Sequence, residues 1–251
     1  MDQYITLTDV DALDRDVPIP LYYQIKRFVL AQIKNGSWPV GHQIPTEQQF
    51  CEKFDISRPT VRQAISELIS EGHLSKKNRK VTVSKPKMDG SFFSKLQSFN
   101  AEMQAKDLTP STRVLTIEVR TNAEVSEKLA LEKDAQCIYL ERVRYADDDP
   151  IVWVETYIPH KSMPDLKSVD FRHASLYETI EKRYQIRIER VDRIVEAILA
   201  GSRESELLGV DKGDPICFVK TTAYDQYNEP VEFSVARYRG DRSQFAVSIS
   251  R

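Results

Sequence analysis

Few residues in this chain suit redox or metal chemistry. Its 251 residues include three cysteines, Cys51, Cys137 and Cys217, far apart and odd in number. They form no CxxC pair and no disulfide framework, so they read as reduced thiols of a cytoplasmic protein. The four histidines, His42, His73, His160 and His173, fall at no metal-ligand spacing. No metal site and no cofactor are expected. Glycine is sparse, at eight, and neither GxGxxG, GxxxxGKS/T nor GxSxG occurs. Nucleotide-dependent chemistry and an α/β-hydrolase nucleophile elbow therefore have no support. No apolar run approaches the ~20 residues that a membrane span requires. The first residues, MDQYITLTDVDALDRDVP, are acidic and lack the basic and apolar regions of a secretory signal. With 41% hydrophobic and 29% charged residues, the chain can still bury a core. At roughly 100–200 residues per domain, its length suits two domains or one large one.

Charge is distributed unevenly. The net charge is −2, which by itself says nothing of nucleic acid. Residues 1–17 carry five Asp and one Arg, whereas residues 57–87 carry eight Lys or Arg and two Glu. Residues 88–251 return to a net acidic balance. A basic island in an otherwise acidic protein is the footprint a phosphate backbone selects, although a solvated surface face would look the same.

Three helices are legible in the first ninety residues. Leu21, Tyr22, Ile25, Phe28, Val29 and Ile33 form one amphipathic stripe, opened by Pro18 and Pro20 and closed by Asn35-Gly36. Thr46 and Gln49 match a capping box, with Phe50, Cys51 and Phe54 as the stripe behind it. Asp55-Ile56 is a link of helix-turn-helix length. Ser57 N-caps the third helix, Pro59 sits in its first turn, and Gly72 ends it. Its core stripe is Val61, Ala64, Ile65, Leu68 and Ile69. Arg58, Arg62 and Ser66 line a second face at four-residue steps, with Thr60 beside them. Arg near a helix N-terminus is suited to paired hydrogen bonds with guanine in the major groove. Leu74, Val81 and Val83 then read as a hairpin wing with a basic tip, Lys77-Asn78-Arg79-Lys80, able to reach phosphates or the minor groove. A protein-binding helical bundle is the competing reading of this domain.

The stretch PLYYQIKRFVLAQIKNGSWPVGHQIPTEQQFCEKFDISRPTVRQAISELISEGHL resembles the winged helix-turn-helix of the GntR transcription regulators. SRPTVRQAISEL is its most specific piece. The resemblance implies that Arg58 and Arg62 read bases or grip flanking phosphates, and that Thr46, Ser57 and Thr60 contact the DNA backbone. The wing departs from the family's Gly-Lys-Gly-Thr-Phe-Val: here it is Asn78-Arg79-Lys80-Val81-Thr82-Val83, with both glycines lost. A glycine tip approaches the minor groove closely. This tip offers extra cations to the phosphate backbone instead.

SKPKMDGS, residues 84–91, lacks periodicity and marks a boundary. Beyond it come a helix or loop over 92–104, a strand over 114–119, and a helix over 123–131 capped by Asn122. A hairpin follows from strands 137–145 and 151–158, then a helix opened by Ser175. After a long strand over 187–199, Ser202 caps a short helix. A second hairpin, 216–224 with 231–238, and a last strand over 245–249 complete the pattern. Separated helices among hairpins predict an α+β fold on an antiparallel sheet. Arg142 and Arg144 share one strand face, Glu155 lies with Trp153 and Tyr157, and Glu232, Ser234 and Tyr238 share another. A solvent face with cross-strand ion pairs would account for these equally.

ERVRYADDDPIVWVETYIP, SLYETIEKRYQI and YNEPVEFSVARYRGDRSQF resemble the effector-binding UTRA domain of the HutC branch of GntR regulators. That resemblance implies a chorismate-lyase-like fold acting as a small-molecule sensor, commonly of sugar phosphates such as amino-sugar 6-phosphates. It places Arg142, Arg144 and Ser175 on the phosphate, with Glu155 and Glu232 on hydroxyls or an amide. Tyr177 and Tyr238 join the wall, and Ser98 and Phe99 close over the ligand.

The expected organisation is an acidic extension, 1–17; a winged helix-turn-helix, 18–84; a linker, 85–91; and a UTRA domain, 92–251. The expected protein is a non-enzymatic, cytoplasmic, homodimeric repressor. It would be released from double-stranded operator DNA by a small phosphorylated sugar, with no membrane contact. The alternatives are a non-sugar effector, chorismate-lyase-like activity in the C-terminal domain, and an architectural DNA-binding protein without an effector.

Overall fold

A computed structural model describes residues 13–77, 80–85, 87–89 and 98–245. The readings on residues 1–12, the Lys77 side chain, Asn78, Arg79, part of the 85–91 linker and the strand at 246–249 lie outside the described residues. The chain divides into two compact units, Met1–Lys87 and Met88–Arg251.

The first unit holds helices α1 (Leu21–Lys34), α2 (Glu47–Phe54) and α3 (Arg58–Ser70), then strands β1 (Leu74–Lys77) and β2 (Lys80–Val83). The three apolar stripes converge. Ile25, Phe28 and Val29 of α1 meet Phe50 and Phe54 of α2 and Val61, Ala64, Ile65 and Leu68 of α3. Phe28 sits edge-on to Trp38 at 5.6 Å and to Phe54 at 5.5 Å. The capping box forms: Gln49 N–H donates to Thr46 Oγ1 at 3.3 Å, and Thr46 N–H donates to Gln49 Oε1 at 2.8 Å. Asp55 takes the left-handed conformation, φ 49° and ψ 55°, that the tight turn into α3 demands. At the far end of α3, Gly72 has φ +81°. Its N–H bonds Ile69 O while His73 N–H bonds Leu68 O, closing the helix in a Schellman motif. Antiparallel pairing runs from Leu74 with Val83 to Lys77 with Lys80, so the wing is a hairpin. Gln43 bridges Thr82 on its outer side.

The second unit is built on a six-stranded antiparallel sheet in the order β4-β5-β6-β9-β8-β7. Its strands are β4 (Pro110–Thr121), β5 (Gln136–Ala146), β6 (Asp149–Pro159), β7 (Ile188–Leu199), β8 (Pro215–Asp225) and β9 (Pro230–Arg239). A two-residue strand β3 (Met88–Asp89) pairs in parallel with β10 (Ser243–Gln244). Helix α4 (Phe99–Gln104) precedes the sheet, and α5 (Ala123–Lys128), α6 (Leu176–Tyr184) and α7 (Ser202–Leu208) lie between strands. Successive strand residues face opposite sides. Ile138 and Leu140 of β5 pack with Leu176 and Ile180 of α6 and with Leu166 and Phe171 before it. Cys137 and Tyr139 turn the other way, to Val125 and Leu129 at α5. Val143 and Trp153 join Leu207 and Leu208 of α7.

Several boundaries differ from the sequence reading. β4 extends to twelve residues and shifts register between Val114 and Thr116, an irregularity that interrupts alternation. The helix after Asn122 ends at Lys128, and Ala130 has φ 50°. Ser202 is the first helical residue of α7, not its cap: Gly201 is the N-cap, and its N–H donates to Glu204 Oε2 at 3.0 Å. The last described strand is Ser243–Gln244.

Candidate functional site

Two surfaces gather the residues singled out from sequence. On α3, Arg58, Arg62 and Ser66 are exposed, because Val61, Ala64, Ile65 and Leu68 take the inward positions. Ser57 occupies the N-cap position, but its hydroxyl lies 2.8 Å from the Thr60 hydroxyl rather than capping a backbone N–H. Thr46 is exposed at the start of α2. A cleft between α2, α3 and the wing is lined by Thr46, Glu47, Gln48, Arg58, Lys76 and Lys80, among others. Lys76 and Glu47 were not singled out from sequence. Lys76 carried a signal, as one of the basic-island residues. Among the expected wing-tip residues, Lys80 is the one whose side chain is described.

The second unit holds a half-open cavity of about 850 Å³, some of it open to solvent. Its floor is the sheet: Arg142 and Arg144 of β5, Val152, Val154 and Thr156 of β6, Glu232, Ser234, Ala236 and Tyr238 of β9, Val219 and Thr221 of β8, and Arg193 of β7. The residues at the start of α6, Ser175, Leu176 and Tyr177, form one wall, and Ser98, Phe99 and Glu102 at the start of α4 form another. The Ser98 hydroxyl caps α4 by accepting from Ala101 N–H at 3.2 Å.

The fold thus brings together Ser98, Phe99, Arg142, Arg144, Ser175, Tyr177, Glu232 and Tyr238. Glu155 is excluded, and its expected place in the pocket is corrected. Val154 and Thr156 point into the cavity, so Glu155 between them must face the opposite side of the sheet. There it accepts from Tyr139 Oη at 2.9 Å and pairs with Arg237 at 2.7 Å. Arg193, Thr156, Thr221 and Glu102 were missed. Each is a polar residue on a strand or short helix whose lining role depends on which elements become neighbours, which sequence periodicity does not supply.

Two arginines in the cavity keep guanidinium donors without hydrogen-bond partners. Arg142 is 4% exposed, and its Nε and Nη1 have no hydrogen-bond partner. Its Nη2 reaches Thr156 Oγ1 only at 3.4 Å. Burial, reinforced by the charge of Arg144, pushes the Arg142 guanidinium down to about 9, while Glu232 acts in the other direction. Burial lowers Arg144 to about 10, and its Nε is also unpartnered. The Arg144 guanidinium lies 4.7 Å from the centre of the Phe99 ring. Glu232 is 3% exposed. Burial raises its pKa, opposed by hydrogen bonds from Tyr177 and Ser234 and by Arg142. Tyr177 Oη donates to Glu232 Oε2 at 2.6 Å, and burial raises the Tyr177 pKa well above its usual value. Guanidinium donors without partners, in a cavity beside a helix N-terminus, are suited to an oxyanion.

Among the described residues no cluster of three or more His, Cys, Asp or Glu is arranged to hold a metal ion. No described helix is long and apolar enough to cross a membrane.

The family model for bacterial regulatory proteins of the gntR family matches residues 21–83, and the UTRA domain model matches residues 105–244. The HTH-type transcriptional repressor NagR of Bacillus subtilis is 34% identical over 95% of this chain and 98% of its own. A probable fructoselysine utilization operon transcriptional repressor of Escherichia coli is 26% identical over 96% of this chain and 100% of its own. The crystal structure of PhnF from Mycobacterium smegmatis aligns with a TM-score of 0.64 at 27% identity, covering 91% of this chain and 98% of that one. The helix-turn-helix with its wing and the antiparallel sensor-like domain are thus shared with these proteins. The chain belongs to the GntR family of bacterial regulatory proteins, as a transcriptional repressor of the HutC type that carries a UTRA domain.

Proposed function

We propose that the protein is a metabolite-responsive repressor, released from operator DNA when a small phosphorylated sugar fills the cavity of its second unit. The observation that carries this reading is Arg142, buried with two guanidinium donors unpartnered. A buried cation with unmade hydrogen bonds is costly, and a phosphate offsets that cost with paired charge-assisted hydrogen bonds. Arg144, Ser175 and the N-terminal N–H groups of α6 would share the phosphate oxygens, and Ser98 and Phe99 would close over them. Glu232 and Tyr238 would take sugar hydroxyls or an amide. The repressor for fructoselysine utilization among the relatives supports an amino-sugar class, such as an amino-sugar 6-phosphate.

On DNA, Arg58, Arg62 and Ser66 would face the major groove, Thr46, Ser57 and Thr60 the backbone, and Lys77, Asn78, Arg79 and Lys80 the flanking phosphates. The proposed organisation is an acidic extension, 1–17; a winged domain, 18–84; a linker, 85–91; and a sensor, 92–251. The working form is a homodimer on a two-fold symmetric operator. Its interface is supported by the edge strand β7, whose Ile194, Val195 and Leu199 are 60%, 48% and 72% exposed. An edge strand offers unpaired backbone groups to another strand, and these apolar side chains lie in the C-terminal half of β7. Release follows from linkage: a ligand that binds the non-operator geometry more tightly shifts the dimer toward it. The relatives are repressors over their whole length, which supports a sensor in the cytoplasm rather than an enzyme.

The test is a thermal-shift screen of the full chain against phosphorylated sugars and their dephosphorylated forms, followed by operator release by any hit. A ligand that binds only the native state raises the melting temperature. A shift from one sugar phosphate and none from its parent sugar supports the reading. Shifts confined to amino acids or fatty acids overturn the sugar-phosphate assignment.

A further inference from the structure

The exposed face of α3 is not made of cations alone. Arg62 Nη2 donates to Glu47 Oε2 at 3.2 Å, linking the recognition helix to the first turn of α2. The Arg62 side chain is 69% exposed and that of Glu47 is 34% exposed. Glu47 lines the same cleft as Arg58, Lys76 and Lys80, and among its described lining residues it is the one carboxylate. A surface selected only for phosphate attraction has no use for an acid there, because a carboxylate repels the backbone that the cations attract.

The pair does two physical things. It holds a long side chain in one rotamer before DNA arrives, which reduces the entropy lost on docking. It also occupies one of the five guanidinium N–H groups and leaves the others for a base edge. A phosphate gains from Arg62 only by competing with a carboxylate already in place. A base edge carries no net charge and suffers less from that neighbour.

We propose that Glu47 is a positioning residue that sets sequence selectivity by holding Arg62 for base contact and away from phosphates. The proposal rests on the docking of α3 in the major groove. Glu47 also sits at the N-terminus of α2, where its charge favours the helix, so a purely structural role is the competing explanation.

The experiment uses the full chain and two duplexes of equal length: one enriched by the wild-type protein from a randomised pool, and one of unselected sequence. Affinities are measured across a salt series for wild type, Glu47→Gln, Glu47→Asp, Arg62→Ala and the Glu47→Gln/Arg62→Ala pair, with melting curves to verify folding. Glu47→Gln should tighten binding to the unselected duplex about fivefold and steepen its salt slope by about one. Its preference for the enriched duplex should fall about tenfold. In the Arg62→Ala background the same change should leave the preference unaltered. Glu47→Asp keeps the charge but shortens the reach, and should lose preference without that gain on unselected DNA. Equal changes on both duplexes, or none, overturn the proposal and leave operator binding standing. Enrichment of no duplex by the wild-type protein overturns operator binding and this proposal together.

Discussion

Tyr177 and Glu232 meet across the cavity at 2.6 Å, the tyrosine hydroxyl donating to a carboxylate that is 3% exposed. The contact joins the first turn of α6 to the first residues of β9, positions 55 apart. It holds the helix start over the cavity floor that carries Arg142.

This pair makes stability respond to pH. Because the Glu232 pKa is raised in the folded protein, the native state retains a proton that the unfolded chain releases just above the ordinary value of 4.5. Its contribution is therefore fully present below that value and is lost as pH rises through the folded pKa. Glu232→Gln keeps an acceptor for Tyr177 and removes the titration. Melting curves at stepped pH should show wild type losing stability relative to Glu232→Gln over that window. A parallel pH dependence of the two proteins would refute it. Tyr177→Phe, which strips the buried carboxylate of a donor, should cost about 1–3 kcal/mol.

Arg142 separates stability from ligand response. Replacing it with Met, similar in length and uncharged, should change the stability of the ligand-free protein by no more than about 1 kcal/mol, since it removes a desolvated guanidinium with two unpartnered donors but also the cation that offsets Glu232. The same substitution should abolish the thermal shift given by a phosphorylated ligand and leave DNA affinity intact. A Met variant that is less stable and still responds would show that Arg142 serves the fold.

The wing and the recognition helix should behave differently on DNA. Lys76→Ala and Lys80→Ala should each weaken binding to any sequence alike and reduce the salt slope by about one. Arg58→Ala should cost about 1–3 kcal/mol on the enriched duplex and relax selectivity. Filter-binding titrations at several salt concentrations distinguish the two patterns.

The edge of the sheet offers a separate test of assembly. Ile194→Lys places a charge on exposed β7 without touching the core, so the monomer should fold normally. Analytical ultracentrifugation should show its dimer dissociating at concentrations where wild type remains paired. An unchanged dimer would move the interface elsewhere.

Much of this was legible in the sequence wherever local chemistry decides structure. Thr46 and Gln49 announced their capping box, Asp55 its turn, and Asn122 its helix. The Arg142/Arg144 face was readable from alternation on a single strand. What was not legible depends on which strands become neighbours. Arg193 joins the cavity because β7 pairs with β8, setting Arg193 opposite Thr221. Glu155 was misplaced because resemblance to a pocket outweighed its own alternation with Trp153 and Tyr157, which put it on the far face. Gly201 was overlooked as a cap because its partner is the side chain three residues on, not its own.

The strand order carries a consequence for synthesis. β6 and β9 are neighbours in the sheet although 70 residues separate the end of one from the start of the other. The cavity floor therefore consists of one hairpin made earlier in translation and another made later. Domains made early fold early, so the DNA-reading unit can be complete while the ligand floor is still half-built. A ribosome stopping before Pro230 would leave the helix-turn-helix sequence intact and omit the strand that carries Glu232, Ser234 and Tyr238. Such a product would retain the means to hold DNA and have no complete chamber in which to receive the signal to let go.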